Sequence, residues 1–509
     1  MSWMTNIFTK KATEPTRYKR SFDAAKFGRT IDITGTRNIN QDLLGSLETV
    51  RDRCRQLAQN DPYIRKALTL WKQNIIGANG ITLHAQSKKN NGELDDSNNE
   101  TIEEGWKYWN KYGNSTLCGS LSGTLRDQLI IESVARDGEV LIVKREGEGY
   151  GKYGFQLEFI PIEQFPSTYV GLASNGNTIF QSIEVDKNLK PVAYWITDKK
   201  ASNIQTTITG ASIIQPTIRI PAEQCLHIFE KHYAGQMRGF PWIVTSVLSL
   251  HHLNQYKIAE LEHARLASAN QLFFTAPANP EGLTDEDIDQ MGNISVDMVT
   301  AQAQILPQGV DIKTADWNSP NANMPDFVKT QLKGIASGLG LSYSTLANDL
   351  ENINFSSAKY ADLQDQATYK NKQQWFIDVF LDRVYCEWLK IQLIRGNLGS
   401  LPFSKFEKFC CVKWTCQGFR NVNLSEQAKA FSTLYGLGVM SLTDISGELG
   451  MDFDDTITQI SRENKKLESL GIELIVMKDL YALDVMEDSM KDENNSESTT
   501  INKKPKRYK

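Results

Sequence analysis

The sequence predicts an α+β protein, with helices before and after a β-rich middle rather than strands alternating with helices. Three observations predict it. Residues 138–229 carry the short β-branched or aromatic runs EVLIVKRE, FQLEFIPIEQF, IFQSIEVDK, PVAYWITDK and ASIIQPTIRI, separated by Gly, Asn and Pro. PWIVTSVLSLHHLNQYKIAELEHARLASAN reads as one helix over 241–270, roughly 45 Å long at the helical rise. Residues 424–485 read as a run of helix-and-stop units, among them SEQAKAFSTLYGLG and DISGELG. A chain of 509 residues is too long for one simple core, so two to four domains are expected.

The elements follow in order. Residues 1–42 are basic and polar with little periodicity and are expected to be a flexible arm, the helical pattern beginning at Leu43. DPYIRKALTLWKQNIIG places Ile64, Ala67, Leu68, Trp71 and Ile75 on one helical face. Asp61 suits its N-cap, Pro62 its first turn, and Gly77 or Gly80 its end. ITLHAQ is a strand, SKKNNGELDDSNNE a polar loop, and IEEGWKYWNKYG and SGTLRDQLIIESVARDG two helices. After the β-rich region and the long helix, residues 271–320 form a second β-rich insert, with AQILPQ and VDIKTADW as its strand pair. MPDFVKTQLKGIASGLG is a helix and LSYSTLANDLENINFSS an irregular segment. A third long helix runs from about Ala358 to Arg395, with Phe376, Phe380, Val384, Trp388 and Ile391 as its apolar stripe. KFCCVKWTC is a strand, and residues 486–509 a polar, disordered tail.

Composition removes several classes of function. A net charge of -5 argues against tight, nonspecific wrapping of nucleic acid. Seven cysteines at irregular spacing do not read as a secreted disulfide framework, which points to a reducing cytoplasm as the place of synthesis. MSWMTNIFTKKATEPTRYKR lacks the apolar core of a signal peptide, and no run reaches the length of a membrane span.

Each candidate for chemistry has a plainer account. GEGYGKYG, residues 147–154, resembles a phosphate-cradling loop, but it leads into another strand, so a hairpin turn is expected. His251, His252 and His263 lack the i,i+4 spacing of a helical metal pair, and Cys410, Cys411 and Cys416 lack a second paired half, so they read as surface histidines and buried thiols. Glu158 and Glu163 flank a strand end, yet nothing shows that they converge as a hydrolytic pair. No nucleotide-binding loop, nucleophile elbow or HExxH occurs. No catalytic residue, cofactor or metal ligand is expected, and the chain is read as not an enzyme.

HIFEKHYAGQMRGFPWI, residues 227–243, combines histidines, a glutamate, an arginine and glycines. Strand residues Leu226 and Ile228 precede it, and a helix opens at Pro241. Gly235 and Gly239 allow backbone angles that bulkier residues resist. We read a strand-to-helix joint, with Arg238 paired to a carboxylate of another segment or subunit.

The same stretch resembles the motif of lambda-type tailed-phage portal proteins, in which a His-containing strand leads into Gln-x-Arg-Gly-x-Pro and a long helix. His227, Gln236, Arg238, Gly239 and Pro241 match it. WKQNIIGANGITLHAQ, RDGEVLIV, FQLEFIPIEQF and IEVDKNLKPVAYWI resemble family segments in the right order, over about residues 45–440. SGLGLSYSTLANDLENINFSSAKYADLQ resembles the segment holding Asn-Tyr-Ser-Ser-Ala-Arg, with Phe355 for the tyrosine and Lys359 for the arginine.

That resemblance implies a portal fold assembled as a ring. Residues 43–240 would form the wing, 241–270 and 321–340 the stem helices, and 271–320 a small clip between them. Residues 341–357 would line the channel, with Asn348, Asp349, Glu351, Asn352 and Asn354 facing DNA, an acidic and amide lining that does not grip phosphates. Residues 358–423 would be a long helix and a returning wing strand, and 424–485 a helical crown. His227, Gln236, Arg238, Gly239, Pro241 and Lys359 would serve the joint or the subunit interface. The implied partners are further copies of the chain, about twelve in a ring, terminase, the major capsid and scaffolding proteins, head-completion and tail-joining proteins, and double-stranded DNA, with no membrane. The implied place is the portal vertex of a virion. Two rival readings are a soluble hydrolase of carbohydrate-active type, suggested by the tryptophans and scattered carboxylates, and a capsid connector that docks no motor.

Overall fold

The computed structural model describes residues 38–197, 217–268, 272–275, 311–314, 323–351, 354–399, 401–419 and 424–470. The chain divides into two units, Met1–Gln417 and Gly418–Lys509. Most of the 1–42 arm, AQILPQ and the 486–509 tail lie outside the described residues.

Helix α1, Ile39–Asn60, starts ahead of the expected Leu43, because the Asn38 side chain accepts the Asn40 N–H and caps it. Its Leu43, Leu47, Val50, Cys54 and Ala58 are buried along one face. Helix α2, Pro62–Trp71, has the expected cap: the Asp61 carboxylate accepts from the backbone of Tyr63 and Ile64. It runs on through a π turn, Lys72–Ile76, and stops at Gly77 with φ 80°. Ile64, Ala67, Leu68, Trp71 and Ile75 are all buried. After strand β1, Thr82–Ala85, helix α3 spans Asp96–Trp109. Its first turn therefore takes in the end of the segment expected to be loop; Asp96 there faces the positive end of the helix dipole. Helix α4, Gly123–Asp137, is capped by Ser122 and ended by left-handed Gly138.

The β-rich region forms as expected. Strands β2 (Glu139–Glu146) and β3 (Phe155–Ile160) make a hairpin whose turn is GEGYGKYG, closed by Gly147 N–H donating to Gly154 at 3.1 Å. Strands β4 (Gly171–Leu172), β5 (Thr178–Phe180), β6 (Ile183–Val185), β7 (Pro191–Thr197) and β8 (Thr217–Pro221) form one antiparallel sheet in chain order. Strand β9 (Cys225–Phe229) joins the other, in the order β3-β2-β9. The two sheets share a core in which Leu141, Val143, Ile160 and Phe165 meet Ile183, Tyr194 and Ile220. Helix α4 packs on β2, and α1 and α2 pack on α4.

The long helix begins later than expected. Pro241 is extended, Trp242–Ser246 is a 3₁₀ turn, and helix α5 proper spans Val247–Ser268. The β-branched run Ile243, Val244 and Thr245 disfavours regular α geometry. Strand β10, Leu272–Thr275, pairs antiparallel with β11, Asp311–Thr314. Within VDIKTADW, Asp311–Thr314 thus pairs with the segment leaving α5, and the AQILPQ half of the expected pair lies outside the described residues. Helix α6, Met324–Leu339, ends at left-handed Gly340. It lies antiparallel to α5: Thr245 Oγ1 donates to Gly338 at 2.9 Å at one end, and the rings of Tyr256 and Phe327 sit 4.8 Å apart further along.

The segment expected to be irregular contains a short helix, α7, Tyr343–Ala347, capped by Ser342. Helix α8, Phe355–Phe376, starts before Ala358 because Asn354 caps it. A π turn, Ile377–Leu381, carries it into α9, Asp382–Arg395. Phe376, Phe380, Val384 and Trp388 are buried, while Ile391 is half-buried. Only the second half of KFCCVKWTC is strand. Phe406–Phe409 is a short helix, α10, and β12, Val412–Thr415, pairs antiparallel with β1. Trp106, Trp109, Tyr385, Trp388 and Trp414 pack edge and face in one aromatic cluster, and the Trp109 indole donates to the Phe155 carbonyl at 3.0 Å.

The second unit holds α11 (Leu424–Gly436), α12 (Leu442–Glu448) and α13 (Phe453–Ser469). None of the three contains a buried residue.

Candidate functional site

The strand-to-helix joint is built on Glu139, the first residue of β2. Strand β9 lies beside β2 with His227 opposite Leu141, which brings the chain after Phe229 back to the end of α4. Gln236 shapes the loop that follows. Its side-chain oxygen accepts from the backbone of His232 and Tyr233, and its amide donates to the Arg238 carbonyl at 2.8 Å. Asn40, at the start of α1, ties down the same loop through Gly235 O and Met237 N–H. Arg238 is completely buried, with its guanidinium carbon over the Phe165 ring, 3.8 Å from its centre. Its guanidinium donates to Glu139 at 2.7 Å and to the Gln181 and Phe165 carbonyls at 2.7 and 2.9 Å.

Glu139 collects more partners. Gly239 N–H donates to Oε2 at 2.8 Å, His227 Nε2–H donates to the same oxygen at 2.9 Å, and Arg51 of α1 donates to Oε1. Burial pushes the Glu139 carboxyl upward, but the charges of Arg238 and Arg51 outweigh it and hold it well below the usual range. Burial lowers His227 and prevails over the carboxylate beside it, so the imidazole is neutral. A second shared carboxylate adjoins the first. Asp137 accepts from Arg55 at 2.6 Å and from Arg136 at 2.7 Å, while its carbonyl accepts from Arg51 at 2.8 Å. Burial raises the Asp137 carboxyl, and the hydrogen bonds from Arg136 and Arg55 bring it below normal.

The two glycines of the joint act differently. Gly235 has φ 75°, the left-handed geometry that favours glycine. Gly239 is needed for space instead: a Cβ there would overlap the Gly138 carbonyl oxygen and the Phe229 Cβ. Gln181 and Ser182, fully buried with φ 51° and 66°, hold a strained turn between β5 and β6. Arg238 bonds one of its carbonyls, and Ser182 Oγ donates to Pro166 O at 2.6 Å.

This arrangement cannot act as a base or nucleophile. Both oxygens of Glu139 are saturated by donors, and its side chain has no exposure. It is a fastening that joins α1, α4–β2, the β5–β6 turn and the β9–α5 segment. The other sequence candidates are dispersed. Glu158 pairs with Arg145, and Glu163 with Arg55, so they form no catalytic couple. His251 and His252 are exposed on α5, and no group of three or more metal-ligating side chains occurs among the described residues. Cys410 and Cys416 are half-buried and Cys411 exposed, so the expectation of buried thiols fails, because β12 is a short strand at the margin of its unit. Lys359 lies in α8, apart from the groups gathered on Glu139. Glu139 itself, with Arg51, Asp137 and Asn40, was missed; a charged residue opening the apolar run EVLIV was the available signal.

The segment 341–357 is anchored at its base. Ser342 binds both oxygens of Asp365 at 2.8 Å. Asn348 is left-handed and ends α7. Asp349 accepts from the Tyr343 hydroxyl at 2.7 Å, from Glu351 N–H at 3.0 Å and from Lys329 at 3.1 Å. Its charge is thus engaged within the chain, whereas Leu350 is 72% exposed and Glu351 is exposed. Asn354 caps α8, and Asn352 lies outside the described residues.

Comparison with known proteins decides the family. The sequence pattern described as "Phage portal protein, lambda family" matches residues 32–373. The chain belongs to the lambda family of phage portal proteins. A curated relative, the "Probable portal protein" of Halomonas phage phiHAP-1, is 31% identical over 433 residues, covering 84% of this chain and 82% of its own. Among solved structures, a chain from the neck of an empty GTA particle matches at a TM-score of 0.41 and 12% identity, over 79% of this chain and 93% of that one. An HK97 family phage portal protein from Corynebacterium diphtheriae matches at 0.30 and 9%, over 60% and 82%. Portal proteins are structural, and the saturated joint of this one fits that character. The match contains the joint, the α5–α6 pair and the 341–357 segment. No described helix is long and apolar enough to cross a membrane.

Proposed function

We propose that about twelve copies of this portal protein form a ring at one capsid vertex, through which double-stranded DNA enters during packaging and leaves at infection. The observation that carries this reading is the family match over residues 32–373. The geometry supports it in two ways. Helices α5 and α6 run antiparallel, and the chain between them leaves and returns through the β10–β11 pair. Such a pair of long helices suits a stem, with residues 271–320 as a clip that docks terminase and later the head-completion and tail-joining proteins. Among the described residues helices α11–α13 contain no fully buried side chain, as expected of a crown completed by neighbouring copies.

Residues 43–240 form the wing, facing the major capsid and scaffolding proteins, and the 341–357 segment lines the channel. Of the lining residues proposed, Glu351 is the one to reverse, since Asp349 is engaged with Lys329 and Tyr343. Negative-stain microscopy of the purified protein tests the ring: a closed ring with an axial hole is expected, and a monomer under all assembly conditions overturns it. Glu351→Lys tests the lining: slower packaging by intact rings is expected, and unchanged packaging places Glu351 away from DNA.

A further inference from the structure

Asparagine followed by glycine occurs three times in the sequence, with the asparagines at Asn79, Asn91 and Asn175. All three asparagines are exposed. Two of the steps are locked in the same way. The Asn91 amide donates to Glu93 at 2.7 Å, its oxygen accepts the Glu93 N–H at 3.2 Å, and Gly92 N–H donates to the Lys89 carbonyl at 3.0 Å. The Asn175 amide donates to Glu184 at 2.7 Å, its oxygen accepts the Asn177 N–H at 3.1 Å, and Gly176 N–H donates to the Ala173 carbonyl at 2.9 Å. The third step lies in the link between Gly77, which ends the π turn after α2, and strand β1. Among the described residues, neither the Asn79 side chain nor the Gly80 N–H makes a hydrogen bond.

We propose that Asn79 is a site of spontaneous covalent modification, at which the native protein loses ammonia and acquires an aspartate or isoaspartate, while Asn91 and Asn175 keep their amides. The Gly80 backbone nitrogen attacks the side-chain carbonyl carbon of Asn79. A carbon–nitrogen bond forms, and the bond to the side-chain amide nitrogen breaks. That nitrogen leaves as ammonia with the proton given up by Gly80, and a five-membered succinimide ring remains. Water opens the ring at either carbonyl. One opening gives aspartate, and the other gives isoaspartate, in which the main chain runs through the side-chain carbon. One asparagine and one water become one acid and one ammonia, and nothing is oxidised or reduced.

The fold keeps this step open and closes the other two. Gly80 has φ 78°, and a Cβ on it would lie 2.6 Å from Thr124 Oγ1 at the start of α4, so a side chain that would shield the attacking nitrogen is disfavoured there. At Asn91 and Asn175 the side chain must first release two hydrogen bonds and the glycine N–H a third. The product also acts on its surroundings. Gly77 is held through its carbonyl by Gln128 at 2.9 Å, and Thr82 stands opposite Thr415 in the β1–β12 pair. Isoaspartate would add a carbon to the main chain between these two fixed points, and either product would add a negative charge.

The test incubates native full-length protein in warm, mildly alkaline buffer, digests samples over time with trypsin and follows amide loss by mass spectrometry. Cleavage at lysines puts the three steps on separate peptides, residues 73–88, 90–107 and 153–187. Asn79 should convert roughly tenfold or more faster than Asn91 or Asn175, the factor expected from the bonds that hold the other two. Fragment ions should place the change at Asn79 and not at Asn74, whose amide donates to the Leu70 carbonyl at 2.9 Å. In urea the three rates should converge, because the locks go with the fold. An unchanged Asn79, conversion of Asn91 or Asn175 at an equal rate in the native protein, or the same ratio of rates in urea overturns the proposal.

Discussion

Arg238 and Glu139, 99 residues apart in sequence, form an ion pair in which neither side chain has any exposure. A charge pair so deep is stable only because every other hydrogen-bonding position is also filled. Removing the carboxylate strands Arg51 and Arg238 together. Glu139→Ala should therefore cost about 3–5 kcal/mol, read as a fall in the denaturation midpoint. Arg238→Lys should also destabilise, because a single ammonium cannot reach Glu139 and the Gln181 and Phe165 carbonyls at once. Wild-type midpoints in both variants would remove the joint from the stability of the first unit.

His227 predicts a pH dependence. Its folded pKa lies below the ordinary value of 6.5, chiefly through burial. The unfolded chain thus takes up a proton near pH 6.5 that the folded chain refuses. Stability is complete above that pH and falls as the pH drops towards the lower folded value. Glu139 and Asp137, both lowered in the fold, add a further loss only below the unfolded carboxylate range of about pH 4. His227→Gln retains a donor to Glu139 without titrating, so chemical denaturation from pH 7 to 5 should show a shallower decline. Identical slopes would mean that His227 titrates alike in both states.

Gly138 has φ 91°, and a Cβ on it would lie 2.5 Å from the Phe240 backbone. Gly138→Ala should cost more than the roughly 1–2 kcal/mol of the left-handed conformation alone, since backbone must move as well. Thermal unfolding of the variant checks this, and a loss below that range would show that the joint yields easily.

Asp349 predicts local rather than global behaviour. Asp349→Ala frees Lys329, Tyr343 and the Glu351 N–H together. Limited proteolysis should cut near Leu350 faster, with the global melting temperature unchanged. Equal cleavage rates would show that the loop is held by Asn348 and the Ser342–Asp365 contact instead.

How much of this was legible in the sequence depends on range. The α2 helix was, because Asp61, Pro62 and Gly77 are local signals that act within a turn of their own position. The Arg238 joint was legible in kind: a strand, a glycine loop and a proline before a helix, with an arginine needing a carboxylate. Its partner was not, because the chain has 61 acidic residues and the one that counts is chosen by β2–β9 register. The partner of Asp349 was not legible for the same reason, since Lys329 reaches it from the preceding helix α6. The 3₁₀ turn at Trp242–Ser246 eluded a periodicity argument, which sees apolar spacing and not the pull of the Gly338 and Ile335 carbonyls on Thr245 and Ser246.

The β10–β11 ladder has a wider meaning. Leu272 sits opposite Thr314 and Thr275 opposite Asp311, so the polypeptide departs and comes home through a single doorway. Whatever lies between can be lengthened, shortened or traded for a foreign sequence without disturbing the helices on either side. A lineage could thereby vary the sequence of that insert while inheriting the paired strands and the helices beyond them intact.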